Sequence, residues 1–285
     1  MGTSKSEVVE QSNQQPAIGK ITQTFERARH EGRGVIIPYF MCGYPTAKDS
    51  IDFILSAAEG GADIIELGMP FSDPLADGVT IQHAGHIALE NGMSIQGCMD
   101  IAKQVSEKSD VTLLFMGYYN PVLSYGLERF CKTARDNGIS GLIIPDLPAE
   151  EADPLQKVAY SYGLAVIYLV PPTAPNERII ASAQRTAAGP GGFIYCVSLS
   201  GVTGSRNELP EHLQSFITRI RTATQAQNLP LAVGFGLSTP EHIATVTSYA
   251  EGAVIGSAIV KLIDQHKNDD PVSAVKEYIS SLRQQ

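Results

Sequence analysis

The chain has 285 residues, of which 43% are hydrophobic and only 18% are charged, and 26 of them are glycine. This composition predicts a large buried interior with many tight turns, and it excludes disordered, collagen-like and coiled-coil chains. The 21 Lys and Arg residues against 30 Asp and Glu give a net charge of −9. Because no basic patch offsets that charge, a protein that binds nucleic acid through the phosphate backbone is excluded.

The four cysteines lie far apart in the sequence and form no CxxC pair. We therefore expect buried, reduced thiols rather than a zinc site or a disulfide framework, as is typical of a cytoplasmic protein. No apolar run approaches the roughly 18 residues that a membrane-spanning helix needs. Residues 1–17 form a polar stretch without the apolar core of a signal peptide, and they predict a mobile tail. The predicted location is the cytoplasm, with no membrane contact.

From about residue 18, amphipathic stretches of helical length alternate with short, β-rich apolar runs. A leading helix is predicted over Ile18 to His30. Eight predicted strands follow, and they begin at Gly34, Asp63, Val111, Gly141, Ala165, Gly192, Leu231 and Gly252. Near-continuous Val, Ile and Leu without polar alternation indicates strands that are covered on both faces, as in a parallel sheet with helices outside.

Helices are predicted between these strands, and a last one is predicted over Val272 to Arg283. The stretches between strands cover Ser50–Glu59, Ile95–Glu107, Leu127–Asn137, Glu150–Tyr162, Glu177–Thr186, Glu211–Thr224 and Glu241–Tyr249. Thr239 followed by Pro240 is a helix-start pattern, and Gly61, Gly138 and Gly163 follow helix ends, where a left-handed residue closes the helix. The alternation predicts one (β/α)8 TIM barrel over residues 18–285, a fold that takes about 250 residues. A doubly wound sheet is the competing architecture.

Two gaps between strand starts exceed the roughly 25 to 30 residues of a minimal unit. About 48 residues separate the starts of strands 2 and 3, and about 39 separate those of strands 6 and 7. In a barrel both surpluses fall at the carboxyl ends of strands, on the face where barrel enzymes hold their active sites. We therefore expect long loops after strands 2 and 6 that can act as lids.

A glutamate stands late in the second apolar strand. Glu66 shares its side of the strand with Ile64, so it is expected to point into the barrel. Because a charge is costly there, Glu66 is either functional, with a raised pKa, or paired with a Tyr hydroxyl or a Lys. Asp73 and Asp77 follow in a turn-rich loop, where each alone is typical of a turn. Combined with Glu66, a carboxylate on this loop could act on a second atom of one substrate.

Glycine-containing turns follow strands 6, 7 and 8. They are Ser200 to Gly204, Gly234 to Gly236 and Gly256 to Ala258. Glycine lets the backbone approach an anion, and a helix that begins near Ser257 adds free amides, so these turns favour a phosphate site over simple strand ends. The turns do not complete a dinucleotide-binding fingerprint. No metal is predicted, because His83 and His86 lack a third ligand at sensible spacing.

Five motifs carry a resemblance to a known family. They are ELGMPFSDPLADGVTIQ from Glu66, GYYNPV from Gly117, IIPDLPAEE from Ile143, SLSGVTG from Ser198 and VGFGLSTPEH from Val233. In this order they resemble the tryptophan synthase alpha chain family, over about Ile18 to Ile263. The resemblance implies a (β/α)8 barrel that cleaves indole-3-glycerol phosphate to indole and D-glyceraldehyde 3-phosphate in tryptophan biosynthesis.

The resemblance also implies roles for individual residues. Glu66 and Asp77 match the catalytic carboxylates of the family. The matched positions for binding the phosphorylated indole substrate are Tyr39, Tyr118, Tyr195, Gly204, Phe235, Gly236, Gly256 and Ser257. The retention of both carboxylates disfavours an inactive barrel kept as a subunit. Val79 and Leu199 depart from the proline and arginine found there in other members, which leaves open how the two loops close.

The loop after strand 2 also suggests a partner, because it is apolar and rich in proline. The resemblance implies that it docks on a tryptophan synthase beta chain in an α2β2 heterotetramer, with Asp73 and Pro74 at the interface. No cofactor is expected in this chain, and pyridoxal phosphate is expected in the beta partner. Two enzymatic alternatives stay open here: a free-standing lyase that releases indole without a partner, and another phosphate-binding barrel such as a sugar-phosphate isomerase.

Overall fold

The computed structural model describes residues 19–197 and 209–283. The predicted tail, most of the predicted loop after strand 6 with its turn from Ser200 to Gly204, and the prediction for Leu199 therefore lie outside the described residues. Nine strands are found within these ranges, and every hydrogen-bonded pair is parallel. They are β1 (Val35–Met41), β2 (Ile64–Gly68), β3 (Thr112–Met116), β4 (Ile139–Ile143), β5 (Ala165–Ile167), β6 (Leu169–Val170), β7 (Ile194–Val197), β8 (Leu231–Gly234) and β9 (Gly252–Ile255).

The strands follow one another around a barrel in the order β5-β4-β3-β2-β1-β9-β8-β7-β6. The first and last strands pair through Val35 and Gly252, so the sheet returns on itself. This confirms the barrel and rules out the doubly wound sheet, in which the first and last strands do not pair. The predicted fifth strand is interrupted at Tyr168, where the chain stops pairing with β4 and begins pairing with β7. Nine strands therefore replace the eight predicted, without a change of topology.

Twelve α-helices surround the described part of the barrel. They are α1 (Lys20–His30), α2 (Ala47–Glu59), α3 (Val79–Glu90), α4 (Ile95–Ser106), α5 (Tyr119–Tyr125), α6 (Leu127–Asp136), α7 (Asp153–Ser161), α8 (Asn176–Ala187), α9 (Leu213–Ala223), α10 (Pro240–Thr247), α11 (Ser257–His266) and α12 (Pro271–Ser281). A 3-10 turn at Ala149–Glu151 precedes α7 and includes the first residues of the helix predicted over Glu150–Tyr162. None of these helices is long and apolar enough to span a membrane.

Two helices differ from the sequence prediction. Most of the surplus between β2 and β3 is helix α3 rather than a long lid, so the loop itself covers only residues 69–78. Helix α5 was not predicted, because Asn120, Pro121 and Gly126 indicate turns. Pro121 stands in the first helical turn, where its missing N–H removes no hydrogen bond, so the helix tolerates it.

The predicted helix-end chemistry is confirmed at several ends. The Thr239 hydroxyl accepts a hydrogen bond from the His242 N–H at 3.2 Å, and Pro240 opens α10 behind it. Gly61 and Gly138 adopt φ values of +103° and +87° directly after α2 and α6. Only glycine reaches this left-handed region at low cost, so the two glycines let the chain leave each helix and enter the next strand.

The hydrophobic core has two layers. One fills the barrel interior, with Ile64, Leu114 and Val254 among its members, and the other lies between the strands and the helices. Helix α1 closes the amino-terminal end of the interior, where the rings of Phe25 and Phe193 lie 5.6 Å apart. With one end filled in this way, the open end for a ligand is the one at the carboxyl ends of the strands.

An ion-pair cluster around Asp63 fixes the closed end. The buried Asp63 carboxylate accepts hydrogen bonds from Arg33 at 3.0 Å, from the Ile36 N–H at 2.9 Å, and from Arg283. We expect Asp63→Ala to destabilise the protein by about 3 to 5 kcal/mol, because two arginines and one amide lose their acceptor. Urea unfolding measures the change.

The matched control is Asp52→Ala, which removes the exposed partner of Lys48 at the surface. It is expected to cost less than about 1 kcal/mol. Equal losses from the two variants would contradict the structural role given to Asp63.

Candidate active site

Strand β2 delivers Glu66 to the carboxyl-terminal end of the barrel interior. Ile64 and Glu66 share the inward face because side chains alternate along a strand. Glu66 is completely buried, and neither of its carboxylate oxygens has a hydrogen-bond partner within the described ranges. Burial raises the pKa of Glu66 to about 8. The alternative of a glutamate paired with a Tyr hydroxyl or a Lys is therefore not what the described residues show, and Glu66 is predominantly protonated at neutral pH.

The loop between β2 and α3 carries Asp77. The Gln82 amide donates to the carbonyls of Pro74 and Asp77, at 3.3 and 2.9 Å, and so holds the loop against the first turns of α3. The Tyr118 hydroxyl accepts a hydrogen bond from the Ala76 N–H at 2.9 Å and donates one to the Asp77 carboxylate. The contacts of Gln82 and Ala76 hold the loop backbone around Asp77, and the hydrogen bond from Tyr118 orients the carboxylate itself.

Loss of solvent raises the pKa of Asp77 to about 6, although the hydrogen bond from Tyr118 lowers it. The sequence placed Asp77 in a turn-rich loop, where an aspartate is typical of a turn, whereas the structure shows its side chain half-buried beside the cavity. Asp77 is still mainly ionised at neutral pH. The two carboxyl groups thus differ in charge near pH 7, because Glu66 lies wholly inside the barrel and Asp77 lies at its edge.

One cavity of about 520 Å³ contains both carboxyl groups. Tyr39, Tyr195 and Phe235 form part of its wall, as their matched positions suggested. Tyr118 stands behind Asp77 instead of lining the cavity, and its ring packs on Phe71 with centroids 5.3 Å apart. Apolar side chains that the sequence did not single out also line the wall, among them Ile81, Met116, Ile144, Leu147, Leu169 and Val254. The wall suits a flat apolar ligand with a few polar groups.

The predicted phosphate turns that lie within the described residues reach the same cavity. Gly236, Gly256 and Ser257 line it, and Gly256 directly precedes α11. The first amides of α11 have no partner inside the helix, and the helix dipole favours an anion beside them. A Cβ on Gly256 would approach nothing closer than the Tyr39 Cβ at 3.8 Å, so open space lies above this glycine.

A larger cavity of about 820 Å³ opens at the opposite end of the barrel, beside α1. Several arginines line it, among them Arg33 and Arg221, and these pair with Asp63 and Glu251 at 3.0 and 2.9 Å. Their charges are thus largely satisfied within the protein. Barrel enzymes hold their chemistry at the carboxyl ends of the strands, so the smaller cavity is the candidate active site.

The residues predicted at a partner interface lie on the rim of this cavity. Asp73 is exposed and Pro74 is half-exposed, and the neighbouring side chains of Leu75 and Val79 are 94% and 74% exposed. Val79 is the first residue of α3, a position where proline would fit equally well. Exposed apolar side chains at the rim are typical of a surface that another protein covers.

His83, His86 and the four cysteines lie outside the cavity wall. His86 pairs with Glu90 at 3.1 Å, and the His83 ring contacts Tyr44 edge-on. No group of three metal-ligating side chains occurs among the residues that the structure describes. Cys42, Cys98, Cys131 and Cys196 are buried and outside disulfides, which confirms the prediction of buried thiols.

A (β/α)8 barrel whose open end holds one protonated and one ionised carboxyl group is a barrel enzyme equipped for acid–base chemistry. Residues 25–284 match the family model described as the tryptophan synthase alpha chain. The chain belongs to the tryptophan synthase alpha chain family. Members are lyases of tryptophan biosynthesis that cleave indole-3-glycerol phosphate to indole and glyceraldehyde 3-phosphate, and this carbon–carbon lyase reaction is the activity of the chain.

Individual relatives agree with this assignment along almost their whole length. The tryptophan synthase alpha chain of Roseiflexus sp. (strain RS-1) is 43% identical over 93% of this chain and 100% of its own. That of Chloroflexus aurantiacus is 44% identical over 93% of this chain and 97% of its own. The crystal structure of the alpha chain from Legionella pneumophila is 32% identical, covers 94% of this chain and 97% of its own, and has a TM-score of 0.85.

A chain in the tryptophan synthase complex from Pyrococcus furiosus is also similar, with 33% identity and a TM-score of 0.79. The match covers 87% of this chain and 97% of that one. The family implies a beta chain as partner. It also implies that the alpha chain has no cofactor, since pyridoxal phosphate belongs to the beta chain.

Proposed function

We propose that Glu66 and Asp77 divide the cleavage of indole-3-glycerol phosphate between them, as proton carrier and as electrostatic partner. The observation that supports this division is the unequal burial of the two groups in one cavity. Burial raises the pKa of Glu66 to about 8 and that of Asp77 to about 6, so the two groups differ in protonation near pH 7. Two titratable groups whose surroundings separate their pKa values are typical of an acid and a base in one site.

Glu66 acts first as an acid in this proposal. Its carboxyl proton moves to C3 of the indole ring, and the ring nitrogen takes up positive charge. Asp77 accepts a hydrogen bond from the indole N–H and stabilises that charge. The bond between C3 and the glycerol carbon then breaks, and its electron pair returns to the ring.

Glu66 acts as a base in the second half of the reaction. As the carbon–carbon bond breaks, the proton of the 3′-hydroxyl passes to the Glu66 carboxylate, and the oxygen becomes that of the aldehyde. Glu66 thus gives one proton and regains one, so indole and glyceraldehyde 3-phosphate leave an enzyme in its starting state. The apolar cavity wall excludes water, which strengthens both electrostatic contacts.

The phosphate of the substrate is placed in this proposal at Gly236, Gly256 and Ser257. Gly256→Ala is expected to lower the affinity for glycerol 3-phosphate about tenfold or more, because a methyl group would occupy the space that the phosphate needs. The empty protein accommodates the methyl group, so the fold is retained. Calorimetry measures the affinity, and the binding of indole, which has no phosphate, is the control. Unchanged affinity for glycerol phosphate would place the phosphate elsewhere.

The exposed loop around Asp73 and Pro74 is proposed to dock on the beta chain, which carries pyridoxal phosphate, in an α2β2 heterotetramer. Exposed apolar side chains of Leu75 and Val79 support this, and a stable complex needs an interface of more than about 1,000 Å². Docking would close the mouth and raise the cleavage rate. The cytoplasmic location stays a prediction.

The experiment that tests the proposal is an assay of indole release from indole-3-glycerol phosphate, with and without a cognate beta chain. We expect slow release by the chain alone and faster release in a complex that light scattering after size exclusion sizes as a heterotetramer. A fast reaction without complex formation would favour a free-standing lyase. No indole under either condition would contradict the proposed function.

A further inference from the structure

The hydroxyl group of Tyr39 lies close to Gly68, two residues beyond Glu66 on strand β2. Strands β1 and β2 align Tyr39 with Glu66, so both side chains enter the barrel at the same height. A Cβ on Gly68 would lie only 2.0 Å from the Tyr39 Oη. Gly68 follows Glu66 by two residues on the same face of β2, toward the open end. The Tyr39 ring therefore leans toward the mouth, and its hydroxyl lies at the level of Gly68, the next inward-facing position after Glu66.

The hydroxyl has no strong hydrogen-bond partner among the described residues. Tyr39 is 6% exposed, and its Oη donates only to the sulfur of Met41, at 3.8 Å. A thioether is a weak acceptor. Buried polar groups in folded proteins are normally paired, and an unpaired one calls for an explanation. The fold gains little from this hydroxyl, so a ligand is the natural partner.

The Tyr39 side chain also connects the two halves of the cavity. Its Cβ lies beside Gly256, where the phosphate is proposed to bind, and its hydroxyl lies above Gly68. A substrate with its phosphate at Gly256 and its indole C3 at Glu66 must lay its glycerol chain along this side chain. The polar atoms of that chain are hydroxyl oxygens, which can accept a hydrogen bond from the phenol.

The Tyr39 hydroxyl keeps its proton in this environment. Burial raises the pKa of Tyr39 well above the ordinary value, and the nearby carboxylate of Asp77 raises it further. The group is therefore a fixed hydrogen-bond donor, and Glu66 remains the proton carrier. A donor beside an oxygen that loses a proton stabilises the negative charge that develops there.

We propose that Tyr39 is a further catalytic residue, whose hydroxyl donates a hydrogen bond to the 3′-oxygen of indole-3-glycerol phosphate while that oxygen becomes the aldehyde. The proposal rests on the proposed function, in which Glu66 takes the 3′-hydroxyl proton. No atom is transferred by Tyr39: the substrate proton moves to Glu66, the electrons of the carbon–carbon bond return to the ring, and the phenol proton stays in place.

Tyr39→Phe tests the proposal, because it removes one oxygen atom and keeps the ring against the cavity wall. We expect the turnover of indole-3-glycerol phosphate to fall at least about tenfold, which is the loss of one hydrogen bond to a charged group. The reverse condensation of indole with glyceraldehyde 3-phosphate should fall by the same factor. The affinity for indole-3-propanol phosphate, which lacks the 3′-hydroxyl, should stay within about twofold of the wild type.

The matched control is Tyr160→Phe, which removes the hydroxyl of a half-buried tyrosine outside the cavity, where it donates to the Arg185 carbonyl at 2.6 Å. It is expected to leave turnover unchanged. Binding of the propanol analogue shows that the Tyr39→Phe site is folded. Should that variant fail to fold, Gly68→Ala displaces the hydroxyl and is expected to lower turnover with the analogue still bound.

Three results would overturn the inference. Near-normal turnover by Tyr39→Phe would show that the hydroxyl is not used, and an equal loss of analogue affinity would show that it acts on binding alone. A shift of the acidic limb of the pH profile with an unchanged maximum would assign the hydroxyl to Asp77 instead. A wild-type chain that releases no indole is a different result, because it contradicts the proposed function itself.

Discussion

Glu66→Gln is expected to lower the turnover of indole-3-glycerol phosphate at least about a hundredfold, since the variant keeps the shape of the side chain and loses the transferable proton. Binding of indole-3-propanol phosphate is expected to persist, because the amide occupies the same space. Single-turnover indole release and calorimetry measure the two quantities separately. A variant with near-normal release would remove Glu66 from the mechanism.

The same substitution is expected to stabilise the protein, and more so as pH rises. The pKa of Glu66 is about 8 in the folded chain, against an ordinary value of 4.5. Below pH 4.5 the carboxyl is neutral in both states, so the wild type loses nothing. Between these values the unfolded chain releases the proton and the folded chain keeps it. The wild type therefore loses stability relative to the variant by about 1.4 kcal/mol per pH unit, and the loss levels off above pH 8.

Urea unfolding of both proteins at pH 5 and pH 8 checks this dependence. Glu59→Gln is the matched control, because Glu59 is exposed and paired with Lys276 at 2.8 Å. The control difference is expected to be similar at the two pH values. If the difference in unfolding free energy between the wild type and Glu66→Gln were also constant, Glu66 would already be ionised in the folded chain between pH 5 and pH 8.

Asp77→Asn is expected to lower the turnover of the isolated chain by about a hundredfold to a thousandfold. The amide can still accept the hydrogen bond from Tyr118, so the loop keeps its position, and only the negative charge opposite the indole nitrogen is lost. Losing one preorganised electrostatic contact in a dry site has effects of this size. The measurement is kcat for indole release without a beta chain.

Asp73→Asn is the matched control, since Asp73 is an exposed carboxylate four residues earlier in the same loop, where the Ser72 hydroxyl donates to it at 2.5 Å. This variant is expected to retain most of its isolated-chain turnover and to lose stimulation by the beta chain. If Asp73→Asn were as inactive as Asp77→Asn in the isolated chain, the assignment of Asp73 to the partner surface would be wrong.

Much of the barrel could be predicted from the sequence because its strands are buried on both faces. All seven residues of β1 and all five of β2 are buried, and strands covered on both faces appear in the sequence as nearly continuous apolar runs. The interruption at Tyr168 could not be predicted, because it depends on which neighbour each residue meets across the barrel. Helix α3 was not predicted, because Val79 follows a long series of turn residues. The additional residues between strands 2 and 3 were therefore interpreted as a lid.

The carboxyl groups of the site were also identifiable from the sequence. Burying a charged glutamate near the end of an apolar strand costs free energy, so the residue pattern alone is enough to single out Glu66. The lack of a hydrogen-bond partner for Glu66 and the hydrogen bond from Tyr118 to Asp77 could not be predicted, because they depend on side-chain positions in three dimensions. The position of the Tyr39 hydroxyl beside Gly68 could not be predicted either, because it depends on the strand register and on the orientation of the tyrosine ring.

The roles of Glu66 and Asp77 can be tested together by the pH dependence of kcat/KM for indole release, from about pH 5 to pH 9.5, since this constant reports the ionisations of the free enzyme. Asp77 must be ionised and Glu66 must be protonated. We therefore expect a bell-shaped pH profile of kcat/KM that rises around pH 6 and falls around pH 8, with the rising limb absent in Asp77→Asn. A kcat/KM that continues to increase above pH 8 would contradict the claim that protonated Glu66 begins the reaction.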